Sequence, residues 1–344
     1  MKPVIYGLSG PTVSDAEAAF LSEARPWGII LFARNIESHD GLHALTDDLR
    51  ERLNNPNLPI FIDQEGGRVA RLKPPLAPLY PPMGLYGEIY KNDKARAIEA
   101  ARLGAALLAQ DLVASGITIT CAPCLDLRLP EMSEIIGDRS FGGEVETVVD
   151  LGRAVLDGLD MGGALPVIKH IPGHGRARVD SHIDLPIIDD DVPTLKANDF
   201  EVFRQLNEPL MAMTGHLRFA SVDAGETSTF SKPVIDGVIR GFIGFDGLLM
   251  SDDISMGALS GPMEERVSKC LNAGCDVVLH CNGDMAEMME IDKALPDRPE
   301  VDAARRMQSV DTALASLSCD VPAGARKVWG ELVADVFPEA QNAV

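Results

Sequence analysis

Short apolar runs recur along the chain at residues 4–8, 28–32, 60–63, 117–125, 166–171, 210–216, 247–253 and 276–282, giving eight candidate strands. Between most of them lie amphipathic stretches of helical period, at 14–25, 41–54, 93–114, 144–161, 193–206, 232–241 and 261–273. Strand then helix, repeated, is the pattern of a parallel sheet. Runs such as Gly28-Ile29-Ile30-Leu31-Phe32 are continuously apolar rather than alternating, which suits strands covered on both faces. Ser14 followed by Glu17 forms a capping box where the first helical period begins.

An open doubly wound sheet predicts the same runs. The count of eight strands and the position of the polar clusters favour an α/β fold closed as a (β/α)8 TIM-type barrel. Those clusters sit at successive strand ends: Asp63-Gln64-Glu65, Lys169-His170, Thr214-Gly215-His216 and Ser251-Asp252-Asp253. A barrel gathers its strand carboxyl ends on one face, so these groups would converge. No linker-like stretch divides the chain, and the proline-rich segment 73–83 reads as a long loop. The expectation is one domain over residues 1–344, with C-terminal helices at 301–318 and 325–336 packing on the barrel.

Composition narrows the partners. With 46% hydrophobic and 24% charged residues, a sizeable core is available and disorder is not the default. A formal charge of −21 repels nucleic acid and anionic membranes alike, so neither is expected as a partner. The first residues carry one basic side chain and an apolar run broken by Gly7 and Pro11, unlike a signal peptide, and no stretch reaches the ~20 apolar residues of a membrane span. A cytoplasmic protein, monomeric or weakly dimeric, is expected. Six scattered cysteines fit reduced core thiols, and the single C-x-x-C at Cys121 and Cys124 lacks the second pair of a zinc site.

The segment from Lys169 to His182 holds three of the seven histidines. His170 and His174 are four apart, but Pro172 and Gly173 break the helix that would align them for a metal, and no phosphate-loop or dinucleotide motif occurs. No cofactor and no metal are expected. His174, between two glycines, reads as a turn residue bonding backbone. Lys169 and His170 alternate along a strand, so one faces the barrel axis and the other leans outward unless a local twist brings both to the mouth. His182 lies two residues after Asp180, a spacing that lets a carboxylate bond the ring and favour its charged form. Of Asp252 and Asp253, alternation sends one into the barrel mouth, and Asp253 can be read instead as a helix cap. A carboxylate facing a protonatable group across such a mouth is what a glycosidase needs.

These residues resemble the family-3 glycoside hydrolases of the bacterial β-N-acetylglucosaminidase type. The resemblance rests on residues 28–36, Ile62-Asp63-Gln64-Glu65-Gly66-Gly67-Arg68-Val69, Ala122-Pro123 with Asp126, residues 136–141 around Arg139, residues 169–175, Asp180-Ser181-His182, Met213-Thr214-Gly215-His216 and Ser251-Asp252-Asp253. It spans nearly the whole chain. It implies a retaining exo-β-N-acetylglucosaminidase of peptidoglycan recycling, with a muropeptide or other small glycan as substrate. On this resemblance Asp252 is the nucleophile, and His182 is the acid/base supported by Asp180. Asp63, Arg139, Lys169 and His170 then bind the sugar hydroxyls, and Arg68 braces its loop. The chain departs from the commonest pattern at Ile171, where many relatives have Phe, and at Gly215, where Ala is usual.

Two other readings remain open. A β-N-acetylglucosaminide phosphorylase would use the same residues, because a deprotonated imidazole repels phosphate less than a carboxylate does. A non-catalytic glycan-binding protein would keep the sugar contacts but would have no use for the nucleophile and the Asp-paired histidine.

Overall fold

The computed structural model describes residues 1–343 apart from Glu131 and His182. Eight parallel strands close into a barrel: Lys2–Gly7, Pro26–Leu31, Ile60–Ile62, Ile119–Thr120, Leu165–Ile171, Met211–Thr214, Leu248–Asp253 and Val277–His280. Each pairs with its neighbours in chain order, and the last meets the first in the register Val4 to Val278, Ile5 to Leu279 and Tyr6 to His280. All eight apolar runs thus become wall strands, buried from both sides as their continuous hydrophobicity requires.

The enclosing helices are α1 (Asp15–Ala24), α2 (His39–Arg52), α3 (Met83–Tyr90), α4 (Lys94–Val113), α5 (Val145–Gly162), α6 (Val192–Ala197), α7 (Asp199–Gln205), α8 (Met263–Ala273), α9 (Met285–Ala294), α10 (Val301–Leu314) and α11 (Ala325–Val333). The capping box of α1 is present: Ser14 Oγ accepts from the Glu17 amide, and the Glu17 carboxylate accepts from the Ser14 amide. It also accepts from the Ser9 amide at 2.9 Å, tying the first strand's loop to the helix start.

Several boundaries differ from the periodic reading. The stretch 193–206 breaks at Asn198 into α6 and α7, and Pro233–Phe242 is π-helical. The fourth strand shrinks to Ile119–Thr120, and beyond it the Cys121 amide still donates to the Ile62 carbonyl and the Pro123 carbonyl accepts from the Lys169 amide. Cys124 still bridges to Lys169.

Met307, Val310 and Leu314 of α10 belong to the same buried cluster as the barrel-interior side chains Trp27, Phe61, Ile119 and Met211. The Trp27 indole N–H donates to Asp311 Oδ1 at 3.0 Å. Trp27 lies at the amino end of its strand, so α10 plugs that end of the barrel and leaves the carboxyl end open. α11 packs on α4, with the Trp329 indole N–H 3.4 Å from the Tyr86 hydroxyl.

Candidate active site

At the open end a cavity of about 160 Å³ is lined by Asp63, Arg139, Lys169, His170 and Asp252. Five side chains singled out from the sequence therefore meet in one place, supplied by the ends of the third, fifth and seventh strands and the loop after the fourth. Asp180 lies in the loop after the fifth strand, where its carbonyl accepts from the Ile183 and Asp184 amides at 3.0 Å each. His182 falls outside the described residues.

The floor is a chain of alternating charges. Lys169 Nζ lies 2.9 Å from Asp63 Oδ1 and 2.6 Å from Glu65 Oε1, and Arg71 donates to the other oxygen of Asp63 at 3.2 Å. Arg139 clasps Glu65 with two bonds of 2.8 Å. Burial would push Asp63, Glu65, Arg139 and Lys169 toward neutrality. For Glu65 it is outweighed by Arg139 and Lys169, which hold the carboxyl well below the usual range, and for Lys169 by Asp63 and Glu65, which hold the ammonium charged. Glu65 had no role assigned from the sequence. Its only signal was its place two residues after Asp63 in a polar strand end.

Arg68 reaches across to the loop that carries Arg139, bonding Asp138 at 3.0 Å and the carbonyls of Glu134, Ile135 and Ile136. That segment also lies close on α3. A Cβ at Gly87 would come within 1.8 Å of the Phe141 carbonyl oxygen, so only glycine admits the approach.

Strict alternation does not hold at Lys169 and His170. The fifth strand's register against the sixth shifts between Lys169 and Ile171, the Lys169–His170 peptide is cis, and both side chains line the cavity. His170 Nδ1 lies 2.6 Å from Asp126 Oδ2. Asp126 is ionised, because His170, His174 and the His174 amide outweigh its burial and bring its pKa down to about 2. An ionised carboxylate only accepts, so Nδ1 carries the hydrogen and Nε2 is left on the side of Arg139, 3.5 Å from its guanidinium.

His174 opens a turn as expected, its carbonyl accepting from the Ala177 amide at 3.1 Å, but its ring does not bond backbone. Its ring meets a side chain, Ser181 Oγ, at 3.1 Å, while its amide donates to Asp126. The buried donors Cys124, Asp126 and His170 fall within 4.8 Å of one another. Hydrogen bonds account for them, since the Cys124 thiol donates to Asp126 at 3.2 Å and burial keeps that thiol protonated.

Asp252 and Asp253 point apart, as alternation requires. Asp253 accepts from the amide and hydroxyl of Ser255 and caps the turn. Asp252 faces the cavity and accepts from the Asp253 amide at 2.8 Å. Burial raises its pKa, but His216, His170, the Asp253 amide and Lys169 together hold it below the ordinary carboxylate value. His216 braces this strand end, Nε2 lying 3.0 Å from the Asp253 carbonyl oxygen and Nδ1 lying 2.8 Å from Thr229 Oγ1. An ionised carboxylate on one wall, faced by cations and hydrogen-bonding groups, suits attack on a polyhydroxylated substrate at a carbon that becomes positive.

A family model described as the glycosyl hydrolase family 3 N terminal domain matches residues 5–315. A protein named Beta-hexosaminidase from Alkalilimnicola ehrlichii is 38% identical over 284 residues, which is 81% of this chain and 80% of that one. A second, from Bordetella avium, is 32% identical over 97% of this chain and 92% of its own. Among solved structures, native NagZ from Neisseria gonorrhoeae superposes with a TM-score of 0.85 at 31% identity, covering 97% of each chain.

Proposed function

This chain belongs to glycosyl hydrolase family 3, and from that premise we propose that it is a retaining exo-β-N-acetylglucosaminidase that removes terminal N-acetylglucosamine from peptidoglycan-derived muropeptides. At the coarser level it is a glycoside hydrolase of the β-hexosaminidase kind. The observation that carries the finer reading is Asp252, ionised and sharing one cavity with Asp63, Arg139, Lys169 and His170.

In the proposed double displacement, an Asp252 oxygen attacks the anomeric carbon while the glycosidic C–O bond breaks. His182, charged and paired with Asp180, gives its proton to the leaving oxygen. The aglycone departs and an ester joins sugar to Asp252. The neutral His182 ring then takes a proton from water, whose oxygen attacks the same carbon and releases Asp252. Two inversions give net retention. Asp63, Arg139, Lys169 and His170 hold the sugar hydroxyls through both steps.

The reading includes residues 1–344 as one domain, a cytoplasmic site of action and a monomer or weak dimer. No helix among the described residues is long and apolar enough to cross a membrane.

A 5-fluoro glycosyl fluoride of N-acetylglucosamine, followed by peptide mapping, tests the assignment. A label on Asp252 is expected, and a label elsewhere would overturn it. Product analysis in phosphate buffer separates the hydrolase from the phosphorylase: free N-acetylglucosamine supports the former and the sugar 1-phosphate the latter.

A further inference from the structure

His174 and Ser181 are buried polar residues that the proposed reaction leaves unused. Their side chains meet at 3.1 Å. The His174 amide donates to Asp126 Oδ1 at 2.6 Å, and the other oxygen of that carboxylate engages the His170 ring at the same distance. One buried carboxylate therefore fixes both a ring that lines the sugar cavity and the start of the segment that leads to Ser181. From the opposite side, the Ala258 amide donates to the Ser181 carbonyl at 3.2 Å. Ala258 stands shortly after the strand that ends in Asp252 and Asp253, so Ser181 is gripped by the loops of the fifth and seventh strands together.

Packing alone does not account for this pair. The His174 ring is buried with Nδ1 lacking a partner among the described residues, and an unsatisfied buried nitrogen costs stability that an apolar ring would not. The ring also needs room made elsewhere: a Cβ at Gly215 would come 3.1 Å from His170 Cβ and 3.4 Å from His174 Cδ2. What an imidazole supplies there, and a phenyl ring cannot, is the bond to Ser181.

We infer that His174 and Ser181 form a latch, anchored on Asp126, that positions the acid/base at residue 182 relative to Asp252. Both are positioning residues, and the inference rests on reading His182 as the acid. A latch of this kind acts on proton delivery to the leaving group. It leaves sugar binding and attack by Asp252 intact.

The test compares Ser181→Ala, His174→Phe and His174→Gln with His182→Ala on aryl N-acetylglucosaminides of graded leaving-group pKa. Ser181→Ala and His174→Phe should each lower kcat on the order of ten- to a hundredfold for poor leaving groups, the scale of a small misplacement, with activated leaving groups and KM nearly unchanged. His174→Gln, whose amide nitrogen reaches toward the Nε2 position, should recover most of the loss. Using two independent variants guards against one that fails to fold. Equal losses on all leaving groups, or no loss, beside a leaving-group-dependent His182→Ala would overturn the latch alone. A His182→Ala loss that ignores the leaving group would overturn the acid assignment and the latch with it.

Discussion

The Lys169 ammonium lies 2.6 Å from Glu65 Oε1 with the two side chains only 2% and 1% exposed. A pair so deeply buried exists because further partners complete it: Asp63 shares the lysine and Arg139 shares the glutamate. Removing one member leaves uncompensated charge in the interior, which costs far more than the intact pair contributes.

Lys169→Met keeps the volume and removes the cation, leaving the Asp63 and Glu65 carboxylates facing one another. Breaking a buried pair in this way destabilises by about 3–5 kcal/mol. Urea denaturation of wild type and variant measures it. A change below ~1 kcal/mol, the range of exposed pairs, would mean that water reaches the array.

The two proposed reacting groups should separate kinetically. Asp252→Ala should abolish turnover of every substrate, because no covalent intermediate forms. His182→Ala should cost about 10²- to 10⁴-fold on a natural glycoside, the usual worth of a general acid, and much less on an activated aryl glycoside. Steady-state rates on the two substrate types decide it, and a similar loss on both would remove His182 from the acid's role.

Much of this could be read from the chain itself, and the exceptions have physical causes. The parallel strands were legible because strands covered on both faces must be largely apolar, and the count of eight with polar residues gathered at their carboxyl ends separated a barrel from an open sheet. The helix α3 was hidden by its glycines and the prolines before it. Gly87 is there for the Phe141 backbone, a contact about fifty residues away that no local pattern reports. The helix α9 was missed because Met288 and Ile291 alone among its residues are buried, too few to set a period. In the site, Asp63, Lys169 and Asp252 stood at strand ends where a barrel makes them converge. Glu65 and Asp126 act through partners contributed by other strands, so their roles emerge only once the strands are assembled.

Gly104 tests whether the last helix matters to the barrel rather than to the chemistry. A Cβ there would come 2.3 Å from the Tyr86 hydroxyl and 2.7 Å from Trp329 Nε1. Gly104→Ala should therefore force α11 away from α4 and cost about 1–3 kcal/mol, as overpacking does. The kcat/KM of the folded variant should match wild type, since neither ring reaches the cavity. A thermal melt that does not fall would show that α11 is free to shift.

The His174 ring gives the protein a defined response to acid. Burial first, and then the His170 ring, lower its pKa to about 4 against the opposing pull of Asp126, with Arg139 acting in the same direction as His170. Above ~6.5 the ring is neutral folded or unfolded, and it contributes no pH dependence. As the pH falls from there toward 4, the unfolded chain takes up a proton that the native ring refuses. Stability therefore falls at up to about 1.4 kcal/mol per pH unit, on the order of 3 kcal/mol over the window. Asp126 acts in the same sense but in a lower window. Its depressed pKa contributes stability that is complete above ~3.9 and is lost only as the pH drops through about 2. The bond from the His174 amide to Asp126 thus persists while the ring is being titrated. Urea denaturation of wild type and His174→Phe at a series of pH values from 7 to 4 isolates the ring's share. The variant should show a shallower decline across that range, and a slope identical to wild type would mean that the native ring accepts the proton without penalty.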